Sequence, residues 1–150
     1  MKLLKLMYFA EREAIRVRND GITGDDFFSL KWGPILSSSL NLMNETLPGN
    51  LWAQHIGVSG KSVLLKKVVE VEQVLSRREI SIANEIWARY GRMSAGALSK
   101  VSHDLPEYKE PGESRIPITF EDIVAGLGFA PDVVQARIEA RQTLSDKRSV

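Results

Sequence analysis

Residues 2–18 place the tightest constraint on this chain. Leu3, Leu6, Met7, Ala10, Ala14 and Val17 recur at helical spacing, and Leu4, Tyr8 and Phe9 widen the apolar surface around the first half. A helix apolar around so much of its circumference belongs in the middle of a fold, with other elements packed over it. Covering it requires a sizeable core. A chain of 150 residues, 43% of them hydrophobic, suits one domain with one such core. That domain is expected over residues 1–142, with 143–150 a flexible tail.

The remaining pattern is mixed. Asn19-Asp20-Gly21 is expected to stop the first helix, Gly21 supplying the left-handed closing residue. Phe27 to Trp32 reads as a short strand. Pro34 is suited to opening a second helix, since its missing N–H is not needed there. Pro48-Gly49-Asn50 ends that region. Leu51–Val58 and Ser62–Leu65, joined at Ser59-Gly60, read as a hairpin. Residues 68–75 are strand or loop.

Ser76 and Glu79 have the spacing of a reciprocal capping box, with Leu75 and Ile80 flanking it as a hydrophobic staple. They predict a helix to about Tyr90, ended by Gly91. Ser94 caps a further helix to about His103. Residues 104–117 read as loop. Thr119 and Asp122 start a short helix, and Pro131 starts a last one to about Arg141. The fold class is α+β: a mostly α-helical single domain with a small antiparallel β-sheet or hairpin.

Several chemistries are excluded or poorly served. The chain has no cysteine, so disulfides, thiolate metal sites and a cysteine nucleophile are impossible. Its two histidines are far apart, and no acidic run has calcium-loop spacing. Asp25-Asp26 reads as a solvated turn rather than an acid–base pair. Gly60-Lys61-Ser62 ends like a phosphate loop, but the glycine required five residues earlier is replaced by His55. Ser102-His103-Asp104 has the letters of a hydrolase triad. Adjacent helical residues, however, point about 100° apart and cannot form a hydrogen-bonded chain. No catalytic site, cofactor or metal is expected.

The formal net charge is +1, so DNA binding would need a local basic patch. Residues 76–103 have a helix-turn-helix outline, with Arg77, Arg78, Arg89, Arg92 and Lys100 available for phosphates. The second helix nonetheless begins Ser94-Ala95-Gly96-Ala97, which offers little to read a base edge. Acidic residues from Glu11 onward interrupt the apolar N-terminal run. It is therefore read as a helix rather than a signal peptide, with no membrane span and a cytoplasmic location.

Three segments carry a family resemblance: Lys5-Leu6-Met7-Tyr8-Phe9-Ala10-Glu11-Arg12; Ile22-Thr23-Gly24-Asp25 leading to Leu30-Lys31-Trp32-Gly33-Pro34; and Leu98-Ser99-Lys100-Val101-Ser102-His103. In order and spacing the chain resembles the Panacea domain, the SocA-like group of bacterial and phage-associated antitoxins, over roughly residues 3 to 125. Trp32 stands where the family commonly has Tyr, and Tyr108 lies where it commonly has Trp; both keep an aromatic.

The resemblance implies an antitoxin that neutralises a cognate toxin, generally encoded by an adjacent gene, through direct protein–protein contact. One member of the group instead hands its toxin to a cellular protease as an adaptor. A DNA-binding regulator of its own operon is the alternative. No catalytic residues come with the family. Tyr8, Phe9, Trp32 and Trp87 read as core aromatics. Candidate partner-binding positions are Asp25, Lys31, Trp32 and His103 within the resembling segments. Val134, Arg137, Ile138 and Arg141 join them on the last helix, which lies beyond most of the resemblance.

Overall fold

The first helix, α1 (Lys2–Arg18), runs through the middle of the structure. In the computed structural model, which describes residues 1–44, 50–60 and 62–148, its two sides serve two cores. Leu6, Phe9 and Ala14 pack with Ile82, Ile86 and Leu98. Tyr8 and Ile15 pack with Leu36, Ile118, Ile123 and Val124. This double burial is why apolar residues extend around so much of its first half. Helix α1 is closed by Asn19 in the left-handed conformation (φ 61°), not by Gly21. Asn tolerates that region through its short polar side chain.

Strands β1 (Phe27–Leu30) and β2 (Gly33–Leu36) form a tight hairpin, with Ser29 opposite Pro34. Pro34 therefore does not open a helix. It lies in the edge strand of the sheet, where a missing N–H is tolerated. Helix α2 (Ser37–Asn44) starts three residues later. Asp25 caps its start, its carboxylate accepting the Ser38 and Ser39 amides, each at 2.8 Å. The turn expected at Pro48-Gly49 lies outside the described residues, as does Lys61.

Leu51–His55 is a short helix, α3, rather than the first part of a strand. Asn50 caps it by accepting the Trp52 amide at 2.9 Å. The second hairpin is correspondingly short: β3 (Ile56–Ser59) and β4 (Ser62–Leu65), antiparallel and separate from the main sheet. Residues 66–75 are extended or bent, with one 3-10 turn at Val71–Gln73.

Helix α4 (Arg77–Tyr90) starts at the predicted capping box, both reciprocal bonds being present. Its buried stripe is Ile82 and Ile86, so Trp87 faces outward at 62% exposure. Trp32, at the tip of the β1–β2 turn, is 61% exposed. Neither is the core aromatic that was expected, whereas Tyr8 and Phe9 are buried. Helix α5 (Ala95–His103) starts at its Ser94 cap and packs on α1 and β2.

Residues 104–117 are not all loop. Ile116–Ile118 is a third strand, β5, pairing antiparallel with β1 to give the order β2-β1-β5. Helix α6 (Phe120–Gly126) follows its Thr119–Asp122 capping box and puts Ile123 and Val124 into the core. Helix α7 runs Pro131–Arg148, beyond the end near Arg141 expected from sequence. The architecture is a mostly helical α+β domain with small antiparallel sheets. No helix among the described residues is long and apolar enough to cross a membrane.

Candidate partner-binding site

Three distant segments meet at Gly33. Its backbone turns through a positive φ of 98°, and its α-carbon is pressed against polar side chains. A Cβ there would lie 2.4 Å from Ser102 Oγ, 2.6 Å from Lys5 Nζ and 3.4 Å from His103 Cδ2. Only glycine fits, sterically and conformationally. Lys5 Nζ donates to the Pro34 carbonyl at 2.9 Å. Ser102 Oγ donates to the Ser99 carbonyl, and Ser99 Oγ to the Trp32 carbonyl, both at 2.8 Å. The start of α1, the β1–β2 turn and α5 are thereby tied together, and the turn projects the Trp32 indole into solvent.

Lys5 is the unusual group of this cluster. It is 1% exposed and sits in the apolar belt of α1. Among the described residues none of the ion pairs involves it. Burial lowers its pKa from 10.5 to about 8, because a charged amine loses hydration there without gaining a counter-charge. The other two buried charged residues among those described are well satisfied. Glu11 accepts the Ile22 and Thr23 amides, both at 2.8 Å. Glu107 accepts Arg12 Nε at 2.6 Å and the Tyr8 hydroxyl at 3.1 Å. Burial and then the Glu107 carboxylate push the Tyr8 pKa well up.

The positions expected to meet a partner fall into separate places. Lys31 and Trp32 are exposed at the β1–β2 turn, with Lys31 Nζ 3.5 Å from Glu113. His103 lies behind them, half-buried and stacked on Tyr108 at 4.5 Å. Its Nε2 is buried with no hydrogen bond. Asp25 is at the far end of β1, engaged in capping α2. Burial would raise its pKa, but the Ser38 and Ser39 amides and hydroxyls outweigh that and lower it.

On α7, Val134 packs on the second core cluster. Arg137 donates to the Ile15 and Arg16 carbonyls at 3.1 and 3.0 Å, beneath Phe129. Arg141 pairs with Asp20 and stacks over Phe120. Ile138 is half-buried. These four side chains thus lie toward the body, while Asp132, Val133, Gln135 and Glu139 are exposed.

The sequence reading passed over Lys5, Gly96 and Ser99. Lys5 had a legible signal: a lone lysine between Leu4 and Leu6, with no acid three or four residues away on the helix. The helix-turn-helix outline is present as α4 and α5, but one face of α5 is used for packing through Leu98 and Ser102.

A family model described as antitoxin SocA-like, Panacea domain, matches residues 3–109, which span all three segments that meet at Gly33. No curated protein and no solved structure matches the chain.

Proposed function

Because the chain belongs to the antitoxin SocA-like, Panacea-domain family, we propose that it is an antitoxin that neutralises a cognate toxin by direct binding. The family match over residues 3–109 is the observation that carries this reading. The role is stoichiometric sequestration in a bacterial or phage-associated cytoplasmic setting, without catalysis. The toxin is the product of an adjacent gene, and hand-over to a cellular protease is one way the complex is disposed of. The polar side chains inside the fold support a scaffold role, since Glu11, Asp25 and Glu107 each bind other parts of the chain. Contact with a partner then falls to exposed surface.

The matched stretch ends at Lys109, before β5, α6 and α7. Residues of β5 and α6 complete the core, whereas α7 lies against the body with one face open. Helix α7 is therefore the element proposed to individualise partner choice.

The test is co-expression with the neighbouring gene product. Growth should be lost with that product alone and restored by this protein. A product harmless alone, or still toxic with this protein present and folded, refutes the reading. Truncation after Gly128, with folding checked by circular dichroism, should weaken rescue. Full rescue by the folded truncation removes α7 from the interface.

A further inference from the structure

Among the described residues the fold leaves an open apolar groove whose charged side chains are all positive. A hollow of about 540 Å3 lies between the start of α1, α2 and the β3–β4 hairpin, with Leu4, Leu40, Met43, Val58 and Val63 in its walls. Through Ala95 it adjoins a smaller hollow of about 230 Å3, lined by Lys5, Trp32, Gly96 and Ser99. The described lining of both contains two charged residues, Lys2 and Lys5, and no carboxylate. Lys2 is engaged with the Gly91 carbonyl at 2.6 Å and lies over the Trp87 ring. Lys5 has three N–H groups and one acceptor, the Pro34 carbonyl.

A buried charge normally has an opposite charge or several hydrogen-bond partners. Glu11, with two amides, and Glu107, with Arg12 and Tyr8, meet that expectation in this same protein; Lys5, with one carbonyl, does not. The missing counter-charge and the open hollow are in the same place. We propose that this groove is a toxin-docking site, distinct from the α7 surface, and that it takes an apolar segment bearing one acidic side chain, whose carboxylate enters the smaller hollow beside Lys5. Leu4, Leu40 and Met43 then cover the apolar residues, and the Trp32 indole closes over the acidic one. The proposal rests on the antitoxin reading for the identity of the partner, but the chemistry of the site is testable without it.

Two probes separate charge from shape: N-acetyl-Leu-Glu-Leu-amide and its isostere N-acetyl-Leu-Gln-Leu-amide, titrated into the 15N-labelled full chain at low salt. The Glu peptide should shift the Ala95, Gly96 and Ser99 amides saturably and bind about tenfold or more tightly than the Gln peptide, as expected for a hydrogen bond to a charged group. Gly96→Glu provides the blocking variant. A Cβ at Gly96 meets nothing within 4 Å, and an acid in the first turn of α5 suits the helix dipole, so the variant folds. It should abolish binding of the Glu peptide, while Gly96→Gln retains it.

Equal binding of the two peptides, binding of neither, or unchanged binding to Gly96→Glu overturns the inference. In cells, loss of rescue by Gly96→Glu but not Gly96→Gln supports docking here, and full rescue by Gly96→Glu overturns it. Failure of the wild-type protein to rescue strikes the antitoxin reading instead, and the peptide titration still decides the groove.

Discussion

Replacing Lys5 by Met should stabilise the protein at neutral pH by an amount that disappears as the pH rises. The Lys5 side chain is buried, bonded to one carbonyl and paired with no acid, and its pKa falls from 10.5 to about 8. At 1.36 kcal/mol per pKa unit, keeping it protonated in the fold costs about 3 kcal/mol. Because the folded pKa is the lower one, the unfolded chain binds more protons between pH 8 and 10.5, and stability rises with pH across that window. Methionine has a similar length and no charge, so Lys5→Met removes the cost but forfeits the bond to Pro34, worth about 1 kcal/mol. The variant should be about 2 kcal/mol more stable at pH 7. By pH 10 the wild-type amine is neutral in the fold, its remaining cost is about 1 kcal/mol, and the two proteins should have nearly equal stability. Urea unfolding of both proteins at pH 7, 8, 9 and 10 measures the difference directly. Tyr8 and Tyr108 also titrate abnormally at high pH, but they do so in both proteins and cancel. A wild-type-minus-variant difference that stays constant from pH 7 to pH 10 would refute the claim that Lys5 is a buried, uncompensated cation.

Four other outcomes are expected. Ser76→Ala removes the hydroxyl that accepts the Glu79 amide and should cost about 1 kcal/mol by urea titration. Arg12→Met strips Glu107, whose side chain is fully buried, of its cationic partner and should cost about 3–5 kcal/mol in the same assay. Gly33→Ala must force a Cβ against Ser102 and Lys5 at a positive φ, so it should destabilise by about 2 kcal/mol more than Gly24→Ala, where the space is open. Asp25→Asn should lower the melting temperature at pH 7, and the difference should shrink as the pH falls below 3.8, since a carboxylate with a depressed pKa loses its stabilising effect on protonation.

What the sequence revealed divides according to whether a signal is local. The Ser76–Glu79 and Thr119–Asp122 boxes specify helix starts within four residues, and both helices begin there. The apolar circumference of α1 announces a central helix because periodicity registers burial on every side. Strand β5 was hidden, since three residues around Pro117 carry almost no pattern of their own and become a strand only by pairing with β1. Pro34 misled for a related reason. Its fixed φ suits a helix start and an edge strand alike, and the Gly33 turn that selects the strand depends on Lys5 and Ser102 arriving from far away in sequence. Trp87 was misplaced because hydrophobic size says nothing about direction; the Ile82–Ile86 pair determines which face of α4 turns inward.

The candidate site was legible as segments but not as geometry. Lys5, Gly33-Pro34 and Ser102-His103 each lie within a stretch of family resemblance, yet nothing in the order of residues says they converge within 3.4 Å of one glycine's missing Cβ. That convergence gives two roles to one small region. Ser99, Ser102 and the Lys5–Pro34 bond hold the β1–β2 turn to the helices, a task any stable member of the fold must perform. Holding the turn does not require a charge, because a neutral donor would serve the Pro34 carbonyl as well. The lysine thus exceeds the structural need by one uncompensated cation, at a cost of about 3 kcal/mol in a protein whose total stability is of order 5–15 kcal/mol. A scaffold role alone leaves that cost unanswered, whereas an entering carboxylate would offset it on binding. Stabilisation gained only in the complex would tie folding stability to partner occupancy, so the bound protein should unfold at higher temperature than burial of the apolar groove alone provides.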